Sequence, residues 1–371
     1  MATVSSTFAC FFDPSKSTSG QRFFAALADA LRPETAASLV QADTVLFNVS
    51  APLPQLIRAR LRGQSIVLRL DGIYHDRLSA AFIASFRSAA LRLLLRTALR
   101  LGLFVAPLSR LANLINRNYG AVARAVLAHR IVYQSEFCRR SWARYLRHKP
   151  GTIIVNGFHW CGEGEAHAAG PPGDRIELVT TYDDWKPAKR IDELVAFIHW
   201  ANATGTVAVH LTLVGFTGAF PSTYSSSTRE QIRASPYVRN TPRFNALDSA
   251  VSDVFRSSHA YITFSYRDPC PNVVVEAMAF GLPVVATRSG GLPDIVGDAG
   301  ELLPLAGDAD AEFCASRYES DFPRLDYPAV LNAVRTVAAN QVEYRQRVRL
   351  RFAADLDIGV VARRYAEVLR S

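Results

Sequence analysis

Short apolar runs alternate along this chain with segments whose apolar residues recur at helical spacing. A first strand is predicted in STFACFFDP (6–14), and the polar loop PSKSTSG and the helix QRFFAALADALR follow it. Further strands are predicted in the runs ADTVLFNVS, QSIVLRLDG, AVHLTLVGF and SHAYITFS, with helical segments between them. VVAT is predicted as a fully buried parallel strand. This alternation predicts an α/β protein built on parallel sheets.

The glycine- and proline-rich segment CGEGEAHAAGPPGDR divides the chain into two such series. Its composition is typical of a connection between domains, and 371 residues are enough for two domains of ordinary size. The last sixteen residues, LDIGVVARRYAEVLRS, have the pattern of an amphipathic helix. We therefore predict a first domain over 1–160, a linker over 161–175, a second domain over 176–350 and a terminal helix over 351–371.

The composition is that of an ordinary globular protein, with 49% apolar and 20% charged residues. Five cysteines, an odd number, are scattered without any C-x-x-C pair, which favours reduced thiols in a cytoplasmic protein over a disulfide framework. The first residues lack the basic and apolar regions of a signal peptide, and no stretch of eighteen uncharged apolar residues predicts a transmembrane helix.

The charge is unevenly distributed. Residues 1–157 carry 21 Lys and Arg against 7 Asp and Glu, a formal +14, whereas the remaining residues carry 21 against 26, a formal −5. A basic half predicts an anionic ligand or surface. No helix-turn-helix, zinc-finger or RNP motif accompanies it, so an anionic membrane or a diphosphate-linked lipid fits better than nucleic acid.

One segment has the sequence pattern of a helix that binds a membrane surface. FRSAALRLLLRTALRLGLFVAPL (86–108) is predicted as a helix in which Arg92, Arg96 and Arg100 line one face and leucines cover most of the rest. Such a helix can lie in the headgroup region of a bilayer. The alternative is an ordinary domain helix that packs through its leucines and leaves its arginines in water.

The most informative stretch is FSYRDPCPNVVVEAMAFGLPVVATRSGGLPDIVG (264–297). Asn272 is expected to cap a helix whose N-terminal N–H groups suit a phosphate, and Glu276 lies one turn further, where a carboxylate can accept hydrogen bonds from two ribose hydroxyls. Gly290 and Gly291 would let backbone approach a ligand closely. These properties together suit a nucleotide-sugar.

This stretch resembles the signature of glycosyltransferase family 4, the glycosyl transferases group 1 of the GT-B fold. The family pattern is E-x(7)-E followed by EAMA.G.PVVAT..GG.PE; here Asp268 replaces the first Glu and Asp294 the later one. The resemblance implies two Rossmann-like parallel-sheet domains that face a central cleft, with the C-terminal helix crossing back to the first domain. It also implies retaining transfer from a nucleoside-diphosphate sugar, bound by the second domain, to an acceptor bound by the first, with Asp268 at the hydroxyls of the transferred sugar.

The resemblance extends to further residues. Family members show a GR...EKG pattern whose Arg and Lys bind the donor diphosphate; here Lys189 matches the Lys, Asp184 stands at the Arg position, and Lys186 can supply the charge. In the first domain, Ser19 and Gly20 lie in the loop expected at the donor or acceptor, although any βα unit can begin in this way. Asp71 and His75 follow a predicted strand and are candidates for acceptor orientation or proton handling; otherwise they are an ordinary turn cap and a solvated loop residue.

Metal chemistry has no support from H-E-x-x-H or from closely spaced histidines, both of which are missing from the sequence. The Walker loop and G-x-G-x-x-G are also missing, which argues against a phosphate-loop ATPase or a dehydrogenase. We expect a metal-independent hexosyltransferase-type enzyme (EC 2.4) without a bound cofactor. Its partners would be a nucleotide-sugar donor, a glycan or lipid-linked acceptor of cell-surface polysaccharide synthesis, and an anionic membrane face on which it lies peripherally. Two alternatives stay open: another nucleotide-sugar enzyme on this fold (epimerase or hydrolase), or a non-catalytic nucleotide-sugar-binding subunit.

Overall fold

The structure is a computed structural model, and it describes most of the chain. The described residues are 7–11, 19–32, 35–36, 38–76, 78–102, 105–143, 145–146, 149–162, 173–181, 187–205, 207–215, 226–241, 249–307, 313–315 and 321–371. Asp184, Lys186 and most of the predicted linker lie outside them. The chain forms two compact units: a first unit of 1–154, 311–321 and 362–371, and a second unit of 155–310 and 322–361.

The first unit contains a parallel sheet in the order β1-β2-β3-β4-β5. Its strands are β1 (Phe8–Phe11), β2 (Thr44–Asn48), β3 (Ser65–Leu70), β4 (Arg130–Tyr133) and β5 (Gly151–Ile153). Its helices are α1 (Ser19–Leu31), α2 (Leu53–Leu61), α3 (Ala80–Ala84), α4 (Ala89–Arg100), α5 (Val105–Asn113), α6 (Tyr119–Leu127) and α7 (Glu136–Trp142), with a π-helical turn (Leu114–Asn118) between α5 and α6. The predicted α/β alternation is confirmed here.

The second unit contains a six-stranded parallel sheet in the order β11-β10-β9-β6-β7-β8. Its strands are β6 (Arg175–Thr181), β7 (Ala208–Val214), β8 (Val238–Thr241), β9 (Ala260–Thr263), β10 (Val284–Thr287) and β11 (Gly300–Leu303). Its helices are α8 (Ile191–Thr204), α9 (Ser226–Ala234), α10 (Ser249–Ser257), α11 (Asn272–Ala279), α12 (Leu292–Val296), α13 (Tyr327–Ala339) and α14 (Gln341–Arg351). The final helix, α15 (Ile358–Arg370), begins in the second unit and ends in the first.

Helices cover both faces of the second sheet, which explains why its central strands are apolar on both sides. In β10, Val285 packs with the core formed by α8 and α13, while Val284 and Ala286 pack with the core formed by α11 and α12. Every residue of β9 and β10 is buried. The prediction of a fully buried parallel strand at VVAT is therefore confirmed.

The single helix predicted over 86–108 is wrong. The chain forms α4 and then α5, and between them Gly102 adopts a left-handed conformation with φ +63° that ends α4. The three arginines of the predicted stripe all lie in α4; Arg96 and Arg100 are exposed, and the Arg92 guanidinium turns back and donates to the carbonyl oxygens of Phe86 (2.5 Å) and Arg87 (3.0 Å). Among the described residues, no helix is long and apolar enough to cross a bilayer.

All five cysteines are free thiols in the structure. Cys138, Cys270 and Cys314 are buried, and burial raises the pKa of the Cys10 thiol to about 12. A thiol with so high a pKa stays protonated at neutral pH and is a poor nucleophile.

Candidate functional site

Three segments of the second unit meet where adjacent parallel strands end. They are the loop after β9, the loop after β10 and the 3₁₀ turn Pro187–Lys189 that follows β6 in the chain. The N–H of Tyr266 donates to the carbonyl of Ala188 (2.8 Å), so the turn is fastened to the loop after β9. Ligands of parallel α/β sheets bind at the carboxyl ends of the strands, so this edge is the candidate site.

Two predicted site residues are in direct contact at this edge. The Lys189 ammonium forms an ion pair with Asp268, with 2.5 Å between Nζ and Oδ2. The side chains are 18% and 21% exposed, so the pair is shielded from bulk water but accessible from one side. A half-buried ammonium that is paired with a carboxylate is a charge that a phosphate group can also engage.

Glycines in the loop after β10 allow it to press against Asp268. Gly290 has φ +60°, and a Cβ at this position would lie 2.2 Å from the Asp268 carbonyl oxygen. The N–H of Gly291 donates to that same oxygen (2.8 Å), and the N–H of Cys270 donates to Asp268 Oδ1 (3.1 Å). In the structure Gly290 permits the close approach of the protein's own backbone, which fixes the Asp268 loop. The approach of a ligand to Gly290 and Gly291 stays a prediction.

The predicted N-cap role of Asn272 is wrong. The N-cap of α11 is Pro271, and Asn272 is the first helical residue; its Oδ1 accepts a hydrogen bond from Asn156 Nδ2 (2.5 Å), which occupies the oxygen that was expected to cap the helix. No side chain in the described part of the chain caps α11. The N–H of Val274 donates to the Pro271 carbonyl (3.0 Å), and the N–H groups of Asn272 and Val273 have no side-chain acceptor among the described residues, which suits an anion.

Glu276 lies one turn beyond Asn272 on the same face of α11. Both residues are partly exposed, whereas Val274, Val275 and Ala277 are buried in the core. The helix thus places the carboxylate on its accessible side, as the spacing predicted.

Arg190 is a residue that the sequence analysis did not single out. It follows Lys189 at the position where the family pattern has Gly, and its φ of +54° explains why glycine suits that position. Its guanidinium is 1% exposed, donates to the Pro323 carbonyl (2.5 Å) and forms an ion pair with Glu193. Arg190 therefore anchors the turn that carries Lys189.

In the first unit, Asp71 follows β3 and is held from several sides. Its carboxylate accepts a hydrogen bond from Gln134 Nε2 and lies 3.4 Å from the Arg69 guanidinium, and its carbonyl accepts from Trp142 Nε1 (2.6 Å). Arg69 and Gln134 are buried, while the Asp71 side chain is 40% exposed. The carboxylate is thus oriented by buried donors and accessible to a ligand.

His75 lies in the same loop but has different neighbours. Its ring stacks on Phe313 with centroids 4.8 Å apart, and Ser109 Oγ is 3.4 Å from Nε2. Phe313 reaches this position because the N–H of Cys314 donates to the carbonyl of Ile73 (2.8 Å), which pairs 313–315 with the loop. No pattern in the sequence indicates Phe313, since this pairing spans more than 200 residues.

The remaining predicted residues are less informative. Ser19 and Gly20 begin α1; the Ser19 side chain is outside the description, and open space surrounds the Cβ position of Gly20. Lys186 also lies outside the described residues. Within the described ranges, no group of three or more His, Cys, Asp and Glu is placed to share a metal ion. Metal independence stays a prediction.

Comparison with known proteins bears on the same region. Residues 178–316, which include Lys189, Asp268 and Glu276, match the family model described as glycosyl transferases group 1. The chain has the GT-B fold. The predicted resemblance is thus confirmed for the fold and for this segment, and the GT-B sheets are the two described above.

Solved structures share the GT-B fold at low sequence identity. They include the pneumococcal O-GlcNAc transferase GtfA in complex with UDP and GlcNAc (13% identity, 88% of this chain and 56% of that chain, TM-score 0.54). A second is sucrose-phosphate synthase from Thermosynechococcus elongatus (16% identity, 96% of this chain and 81% of that chain, TM-score 0.54). A third is Anabaena HepE in complex with UDP-glucose (16% identity, 98% of this chain and 99% of that chain, TM-score 0.55). The chain spans little more than half the length of GtfA. A search of curated proteins found no match.

Proposed function

We propose that the protein is a retaining glycosyltransferase that moves a sugar from a nucleoside-diphosphate sugar to a glycan or lipid-linked acceptor. The observation that carries the proposal is the half-buried Lys189–Asp268 pair, which lies in the segment that matches the glycosyl transferases group 1 model. The same strand edge carries the helix α11, whose first turn lacks a side-chain cap among the described residues. A compact cation and an uncapped helix N-terminus form a setting for a diphosphate.

The ion pair suggests how donor binding prepares the site. When a diphosphate arrives, the Lys189 ammonium exchanges one anionic partner for another and stabilises the charge of the departing nucleotide. Asp268 is then released toward the hydroxyls of the transferred sugar, where an anion also favours a developing oxocarbenium ion. Glu276 accepts hydrogen bonds from the ribose, and Gly290 and Gly291 keep the Asp268 loop in place.

The acceptor is assigned to the loop 71–76 of the first unit. Asp71 offers an oriented, accessible carboxylate, and His75 with Phe313 forms an aromatic surface of the kind on which sugar rings pack. We place the protein in the cytoplasm, peripheral to a membrane, in cell-surface polysaccharide synthesis. No metal ion or cofactor is part of the proposed mechanism.

The proposal is tested by thermal unfolding of the purified protein with UDP, GDP, ADP, CMP and dTDP in the presence of a chelator. A rise with one diphosphate identifies the donor base, and transfer is then assayed with that nucleotide's sugars. Turnover of donor without acceptor would favour an epimerase or hydrolase, and nucleotide binding without transfer would favour a binding subunit. The absence of a shift with every nucleotide would contradict the proposal.

Replacing Glu276 with alanine is expected to weaken binding of the nucleoside diphosphate about 10- to 100-fold, since two charge-assisted hydrogen bonds to the ribose are lost. Binding of inorganic pyrophosphate, which has no ribose, is expected to be unchanged. Calorimetric titration with both ligands distinguishes the two effects. Equal losses for both would assign Glu276 to the phosphates or to the fold instead.

Replacing Phe313 with alanine is expected to raise the acceptor KM about tenfold and to leave the donor KM unchanged, because the ring packs on His75. Phe322→Ala is the matched control: this ring packs on Tyr266 and beneath Arg190 in the second unit, and its loss is expected to affect the donor KM. Steady-state kinetics with the first acceptor that supports transfer give both values. Identical effects of the two variants would remove Phe313 from the acceptor site.

A further inference from the structure

Exposed apolar side chains are concentrated in one part of the first unit. Among the described residues, thirteen large apolar side chains are exposed, and seven of them lie between 93 and 126. Two of them, Leu93 (69% exposed) and Leu94 (58% exposed), belong to α4, and a third, Leu101 (64% exposed), is its C-cap residue. Positions i, i+1 and i+8 share one face of a helix, so these leucines form a single patch, called here the leucine face.

The leucine face does not contribute to the core. The opposite side of α4 provides the packing: Leu95 is buried in a cluster with Phe82, Phe86 and Ala112, and Leu91 and Leu99 pack against that cluster. The helix is also capped at both ends. At its N-terminus the Ser88 hydroxyl accepts a hydrogen bond from the N–H of Leu91 (3.2 Å), and at its C-terminus Gly102 adopts a left-handed conformation. α4 is therefore folded and anchored without its outer leucines.

The charge around the leucine face has one sign. From Arg77 to Ser135 the chain contains nine arginines and no Asp or Glu. Arg96 and Arg100 lie three and seven positions after Leu93, along the edge of its face, and both are exposed. Arginine at this edge can keep its guanidinium in the headgroup layer while the leucines reach the acyl boundary.

We propose that the leucine face docks on an anionic lipid bilayer, with α4 lying in the plane of the surface. A second copy of this chain fits poorly, because two acid-free, arginine-rich surfaces would face each other. A nucleic acid would bind the arginines but would leave the leucines against phosphate and water. The inference rests on the proposed function, because docking on a bilayer would bring the enzyme to a lipid-linked acceptor, which is found only there.

The first experiment is co-sedimentation of the full chain with vesicles, without nucleotide. The protein is expected to sediment with phosphatidylglycerol-containing vesicles and to remain in solution with pure phosphatidylcholine. The triple variant Leu93→Ser, Leu94→Ser, Leu101→Ser is expected to bind about a hundredfold more weakly. The double variant Arg96→Gln, Arg100→Gln is expected to lower the affinity for these vesicles about thirtyfold at low salt and by a smaller factor at high salt.

The control is Val342→Ser with Leu350→Ser, which removes two exposed apolar side chains of α14 in the second unit (85% and 64% exposed) and is expected to leave vesicle binding unchanged. Equal thermal unfolding of all variants shows that the fold is retained. The inference is overturned if the wild type ignores anionic vesicles, if the triple variant binds as well as the control, or if the leucines serve only self-association. Nucleotide-induced thermal shift, measured separately, reports on the proposed function alone.

Discussion

Lys189→Ala is expected to weaken binding of the nucleoside diphosphate about a hundredfold or more. The change removes a charge-assisted contact to the diphosphate, and it leaves the Asp268 carboxylate, 21% exposed, beside the incoming phosphates without the ammonium that now balances it. Loss of attraction and gain of repulsion act in the same direction. Isothermal titration with the diphosphate that stabilises the wild type measures the effect.

A second substitution separates the two contributions. Asp268→Asn alone is expected to retain nucleotide binding and to lose transfer, and in the Lys189→Ala background it is expected to restore about tenfold of the lost affinity by removing the repulsion. Lys149→Ala is the control, since that ammonium serves the first unit by donating to the backbone carbonyls of Val126 (2.7 Å) and Ala128. Wild-type affinity in Lys189→Ala would remove Lys189 from the donor site.

Gly290→Ala is expected to lower the free energy of unfolding by about 3 kcal/mol or more and to abolish nucleotide binding. The new Cβ would lie 2.2 Å from the Asp268 carbonyl oxygen and 2.7 Å from its nitrogen, and these backbone atoms cannot turn away as a side chain can. The loop that carries Asp268 must therefore shift. Urea unfolding and calorimetric titration on the same preparation report stability and binding.

Gly307→Ala isolates the steric part of that effect. Gly307 has a similar left-handed φ of +77°, but no atom lies within 4 Å of its Cβ position. Its substitution is expected to cost only about 1 kcal/mol of backbone strain. If Gly290→Ala cost no more than this control, the close packing of the two loops would not contribute measurably to the fold or to the site.

The sequence predicted the features that depend on local pattern. The strand at 284–287 was predictable because all four residues are apolar or small and bounded by turn residues, and the spacing of Asn272 and Glu276 placed both on one helical face. Motif matching identified Lys189 and Asp268 separately. Each of these inferences uses information within about ten residues.

The features that were predicted wrongly or not at all depend on residues that lie far apart in the chain, or on a local turn. Asn272 does not cap its helix because Asn156, 116 residues earlier, engages its side chain. The helix predicted over 86–108 is interrupted because Gly102 adopts a left-handed conformation between α4 and α5. The Phe313–His75 stack and the Lys189–Asp268 pair, 79 residues apart, were not predictable from periodicity, which describes only one element at a time.

The division of the chain into units has a consequence for how this protein is made and altered. The first unit takes residues from three separate stretches, and the last of them, 362–371, follows the second unit in the chain. There Tyr365 is buried against Phe23, and Arg130 donates to the Val368 carbonyl (3.2 Å). The first unit therefore completes its packing only after the second unit has been synthesised. For the same reason, a chimera that exchanges the first unit between two such proteins must transplant three gene segments, not one contiguous half.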